Sequence, residues 1–294
     1  MAFSVRGFAL VFVYLFAAVG AASVLAWLLA GVLDYAYMKI LSRSLLLFLA
    51  IGLIPLWRAA DLSAKDIGLS PMRTGQALKA YPYGVAMVMP LMLFFVVVGF
   101  RVWDDRVDYA GAEFWSFVVV GIVSGLLVGV FEETLFRGIL FGVLRRSGSF
   151  VTSAIIVGTV YALVHFLVGA ETEVAAASWY TGFIQVGGAF NGLGDPAGYV
   201  DSFGSLLLLG VLLCLVRERL GLWWCIGLHA AWVFSIRLFK EMTVRDIYSP
   251  YEVLVGDYDN FIGNLVSVWL IFIFVVLALH RSFISRPYEK RDNA

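Results

Sequence analysis

The chain has 294 residues with 21 basic and 21 acidic side chains, a formal net charge of zero, and it is 62% hydrophobic against 14% charged. A soluble globular domain carries about 25% charged residues, so this composition, with a mean hydropathy of +0.91, points to a polytopic membrane protein. With no basic excess, polybasic run or low-complexity tail, nucleic acid is excluded as a partner.

Apolar runs of about 20 residues, matched to a hydrocarbon core of ~30 Å, predict an all-α membrane protein with about eight transmembrane helices. They cover residues 8–33, 41–57, 81–100, 115–144, 150–170, 202–216, 221–239 and 260–280. The second and sixth are short, and the fourth is long enough to tilt or to project from the membrane. Only Arg6 precedes the first run, which exceeds a signal-peptide core and lacks a small-residue cleavage site, so it is expected to be retained as a span.

Neither an internal repeat nor a soluble domain interrupts the series, and residues 1–294 read as a single integral-membrane domain. The polar stretch at 59–78 mixes charge with Ile67 and Leu69 and suits the membrane interface. The stretch 170–199, with Trp179, Tyr180 and Phe183, reads as an aromatic, glycine-rich connector or as a re-entrant lid. With an inside N-terminus, thirteen lysines and arginines fall on the inside. Seven fall outside: Lys39, Arg43, Arg101, Arg106, Arg237, Lys240 and Arg245. That bias predicts both termini in the cytoplasm.

Only two acids, Glu132 and Glu133, lie inside an apolar run, where a carboxylate costs at least ~2.5 kcal/mol. Glu133 and Arg137 are four apart, with the acid N-terminal as an ion pair on one helix face prefers. Glu132 points about 100° away around the helix and is left unpaired, available for chemistry. The competing reading is a buried ion-pair latch between helices. Cys214 and Cys225 also lie in apolar segments and read as packing residues, giving neither a disulfide framework nor a metal knuckle.

Two of the three histidines, His165 and His229, have apolar neighbours on both sides, whereas His280 abuts Arg281 and reads as interfacial. Two imidazoles and a spare carboxylate are the ligand set of a catalytic zinc site, with Glu132, His165 and His229 as ligands. They are equally the set that activates a water and stabilises an oxyanion without metal. Tyr161 lies one turn before His165 on the same face, placed either to reach the site or simply to pack.

Glu132-Glu133-x-x-x-Arg137, then Tyr161-x-x-x-His165, then His229 in Gly227-Leu228-His229-Ala230-Ala231-Trp232, resemble in order and spacing the motifs of the CAAX protease and bacteriocin-processing (CPBP) family of intramembrane endopeptidases, which includes the CAAX prenyl protease 2 type. Asp66-Ile67-Gly68-Leu69 resembles the family's lead-in, and the resemblance extends over about residues 60–240, a protease-like core. It implies that Glu132 activates the attacking water, as base or metal ligand, with His165 assisting. His229 would stabilise the oxyanion or complete a metal site, and Glu133 and Arg137 would hold and tune Glu132, with Glu133 itself a further candidate for the chemistry. The implied substrate is a peptide or protein at the lipid bilayer, prenylated in one class of the family.

Two positions depart from the family pattern. Tyr161 stands where Phe is usual, and Val233 stands where Asn is common, removing a donor worth about 10² to 10³ in rate unless Ser235 or Tyr161 replaces it. The alternatives to an enzyme are a membrane scaffold, an immunity or partner-binding protein that keeps these residues as a structural network, and a proton-coupled transporter. The last lacks the repeat-related halves with broken helices that would support it.

Overall fold

The computed structural model describes residues 5–33, 35–166, 177–189, 200–256 and 259–279. Every apolar run folds as helix: α1 (Val5–Ala30), α2 (Tyr37–Ala59), α3 (Thr74–Val97), α4 (Ala112–Glu133), α6 (Phe150–His165), α8 (Val200–Leu220), α9 (Leu222–Met242) and α10 (Asn264–Leu279). The fourth run is one continuous rod over Ala112–Arg146, in which a π-helical segment, Thr134–Leu140, joins α4 to α5 (Phe141–Ser147).

Among the described residues, six helices are long and apolar enough to cross a membrane; α6 and α10, with 16 residues each, are shorter. Sixteen residues rise about 24 Å, less than the ~30 Å hydrocarbon core. The runs expected to be short are instead full length. Helix continues through polar residues at their ends, such as Arg217, Glu218 and Arg219 of α8, because backbone hydrogen bonding does not stop where apolarity does.

Helix α9 lies between α3 and α4, and glycines set how closely these pack. On α4 a stripe of Gly121, Gly125 and Gly129 faces it: a Cβ at Gly125 would sit 2.5 Å from the Ala230 carbonyl oxygen, and one at Gly129 3.0 Å from that of Ile226. With no hydrophobic drive between helices in lipid, such small-residue faces are what allow backbones to approach. Helices α6 and α8 form a second pair, and α10 packs on α8.

At one end of the bundle, β1 (Arg101–Trp103) pairs antiparallel with β2 (Thr243–Arg245), Val102 opposite Val244. These strands lie between the apolar runs, and three residues are too few to show a period of two. At the other end, Asp66-Ile67-Gly68-Leu69 is docked on the bundle. Ile67 is fully buried beside Gly138, Arg217 donates to the Asp66 carbonyl, and Arg146 pairs with the Asp66 carboxylate at 3.2 Å.

Within 170–199, residues 177–189 are described and contain α7 (Thr181–Ala189). Its N-terminus docks on the middle of α1: Ser23 Oγ donates to the Trp179 carbonyl and accepts from the Gly182 N–H, and Phe183 packs on Phe16. Contact with the interior of a spanning helix fits a re-entrant segment better than a surface connector. The remainder of 170–199, Asp34, His280 and the basic C-terminal residues lie outside the described residues.

Candidate active site

Glu132 and Glu133 are the last two residues of α4, directly before the π-helical segment. Nothing in the sequence, such as a proline, signals that change of winding, although such turns recur at functional sites. The expected angular separation is present. Glu133 is completely buried, while the Glu132 side chain keeps 22% of its surface exposed, and its Oε2 is enclosed with no hydrogen-bond partner.

Glu133 Oε1 accepts from Arg137 Nη1 at 2.9 Å and from His229 Nδ1 at 2.7 Å. The Arg137–Glu133 ion pair read from the spacing is therefore present, wholly buried, with a second purpose that the spacing did not reveal: it orients His229. The guanidinium of Arg137 also lies over the ring of Tyr161, 4.3 Å from its centroid. An aromatic face suits a buried cation, and the indifference of that contact to a ring hydroxyl explains why Tyr can stand where Phe is usual.

His165 ends α6, and its Nδ1 lies 2.7 Å from the Tyr161 carbonyl oxygen. A carbonyl and an ionised carboxylate only accept, so both histidines carry their proton on Nδ1 and turn Nε2 inward. The two Nε2 atoms are each 3.9 Å from Glu132 Oε2. The structure thus brings together all five residues singled out from the sequence.

Three acceptor atoms converge here, Glu132 Oε2 and the two Nε2 nitrogens. The donor types suit zinc, and each imidazole has the outer hydrogen bond that metal-bound histidines keep. The spacing does not suit it: ligands at about 2.1 Å in tetrahedral geometry lie about 3.4 Å apart. Among the described residues no group of three such side chains is placed to hold a metal ion. One oxygen about 2.8 Å from each atom bridges 3.9 Å readily.

Of the proposed replacements for the missing asparagine, Ser235 lies about 9 Å along α9 from His229 and about 120° around it, on another face. Tyr161 is closer, its ring centroid 4.4 Å from that of His165 and 6.4 Å from that of His229. The sequence reading also missed the glycine stripe that seats α9, although spacing of four signals it, and Trp232, whose ring lies 6.4 Å from His229. Trp232 also lines an apolar cavity together with Leu209, Ile236 and Trp269. Cys214 and Cys225 are free thiols with no exposed surface, as packing residues should be.

Compared with known proteins, residues 114–235 match the family model described as Rce1-like, type II CAAX prenyl endopeptidase. The match is narrower than the resemblance over 60–240; it leaves out the Asp66–Leu69 stretch but contains Glu132, Glu133, Arg137, His165 and His229. No curated protein and no solved structure matches the chain. From Phe114 in α4 to Ser235 in α9, the helices that carry these residues are similar to the Rce1-like CAAX prenyl endopeptidases, which are peptidases.

Proposed function

We propose that this chain is an intramembrane endopeptidase that hydrolyses a peptide bond of a lipidated, membrane-associated protein or peptide, with Glu132 activating the attacking water. One observation carries the mechanism: the partnerless Oε2 of Glu132 lies 3.9 Å from the Nε2 atoms of both His165 and His229.

Arg137 and Glu133 neutralise each other, and Glu133 also accepts the Nδ1–H of His229 and so fixes its ring. In the proposed sequence Glu132 takes a proton from water as the oxygen attacks the scissile carbonyl. In its doubly protonated form His229 donates through Nε2–H to the oxyanion, and His165 Nε2 accepts from the water and holds it in line. Glu132 then delivers its proton to the leaving amine. No step is routed through a metal, given the spacing. The apolar cavity behind Trp232 supports a substrate that carries a lipid. The excess of cations on the end where Asp66 docks favours both termini in the cytoplasm, which labelling of single introduced cysteines from either side tests.

Val233 favours a second reading, a scaffold or immunity protein of the same fold. Both are tested by cleavage of quenched-fluorescent peptides, lipidated and unlipidated, in nanodiscs. Glu132→Ala and His165→Ala are expected to lower the rate by at least ~10²-fold while remaining folded. A Glu132→Ala variant as active as wild type contradicts the mechanism, and a well-folded wild type that turns over neither substrate supports the scaffold.

A further inference from the structure

Helices α1 and α2, outside the residues that match the family, enclose a crevice of about 260 Å³ at the end where they connect. Its walls are aliphatic, with Leu25, Leu29 and Leu47, and its mouth carries Lys39 and Arg43, one turn apart on α2. Both cations lean over Tyr35, Lys39 Nζ at 4.9 Å and the Arg43 guanidinium carbon at 5.6 Å from the ring centroid. The ring therefore gathers two like charges that repel one another at this spacing.

Of the other cations at this end, Arg106 pairs with Asp104, Lys240 with Asp259 and Arg245 with Glu252, and Arg101 donates to Thr243, while Arg237 lies on α9 outside the crevice. Lys39 and Arg43 have no acidic partner among the described residues; Asp34, the nearest acid in sequence, lies outside them. They are also two of the seven cations on the side the charge bias disfavours.

We propose that this crevice binds an anionic phospholipid, with its phosphate held by Lys39 and Arg43 and one acyl chain lying along Leu25, Leu29 and Leu47. A phosphate offers several acceptors to two cations, and charge-assisted bonds are the stronger kind. Basic sites between helices at a membrane face take lipid headgroups for this reason. A free phosphate ion would use the cations and leave the apolar walls unused, so the crevice favours the lipid.

The test is native mass spectrometry of the delipidated full chain titrated with dioleoyl phosphatidylglycerol or dioleoyl phosphatidylcholine. Wild type should prefer phosphatidylglycerol by about thirty-fold, the contribution of two cations. The Lys39→Gln/Arg43→Gln double variant should fall to near parity, with Arg106→Gln unchanged as the control. Leu29→Trp, which fills the crevice and leaves both cations, should weaken phosphatidylglycerol retention, and inorganic phosphate should not displace the lipid. An unchanged preference in the double variant, equal retention of both lipids by wild type, or displacement by phosphate with no effect of Leu29→Trp overturns the proposal. Should the double variant fail to fold, the single Lys39→Gln and the Leu29→Trp variants decide it.

Discussion

Glu133 serves two partners through one oxygen, and its loss and the loss of Arg137 should therefore differ in kind. Arg137→Ala leaves a buried carboxylate without its counter-charge, and breaking a buried pair costs about 3 to 5 kcal/mol. Thermal unfolding in detergent should drop sharply for this variant, and a Glu133→Gln/Arg137→Met double variant should recover much of it. Activity should stay low in the double variant, because the amide holds His229 without supporting its charge. At Val233, one turn beyond His229, Val233→Asn should raise kcat, by up to about 10²-fold if the wild-type site lacks an oxyanion donor. An unchanged kcat means that another group, with Tyr161 nearest, already donates. The unpaired state of Glu132 was legible because 100° per residue separates adjacent side chains. The paired histidine was not, since Glu133 and His229 lie 96 residues apart and only tertiary packing joins them.

The α4–α9 contact fixes the distance between Glu132 and His229 without contributing to the chemistry. Gly125→Leu places a side chain where the Ala230 carbonyl now sits, so cleavage should be lost although all five polar site residues remain. Unchanged activity of that variant means the contact can yield by more than the site geometry should tolerate. At the opposite end from the strands, Ser63 donates to Asp66 through its hydroxyl and backbone N–H, and with Arg146 beside it these bonds hold the Asp66 carboxyl below the usual carboxylate range. A depressed folded value means the stabilisation is complete above the unfolded value near 4 and is lost as pH falls through the folded one. Hydrogen-exchange protection of residues 62–69 should therefore decline below about pH 4, and in Asp66→Asn it should already be low at neutral pH, with no further acid dependence. The long apolar helices were legible from hydropathy, whereas α7, the helix ends, the π-helical segment and the short strands were not. Those depend on hydrogen bonds and packing that leave no periodic trace in sequence.

Across the whole molecule, the family match covers the two helix pairs that bring the site together, α4 with α9 and α6 with α8, and α1–α3 and α10 lie outside it. That division places the chemistry at the centre and the proposed lipid contact at the periphery, so their failures are separable. Positions about 10 to 20 Å of helix rise from the end where Asp66 docks hold His229 and Glu132. The central claim is hydrolysis by a Glu132-activated water. Its most direct test is the initial rate of lipidated-peptide cleavage by wild type and Glu132→Ala in the same nanodiscs, each before and after exhaustive chelation with metal content measured. The account predicts full wild-type turnover at far less than one metal ion per chain and none above background in Glu132→Ala. Loss of wild-type activity on chelation, restored by added zinc, contradicts it.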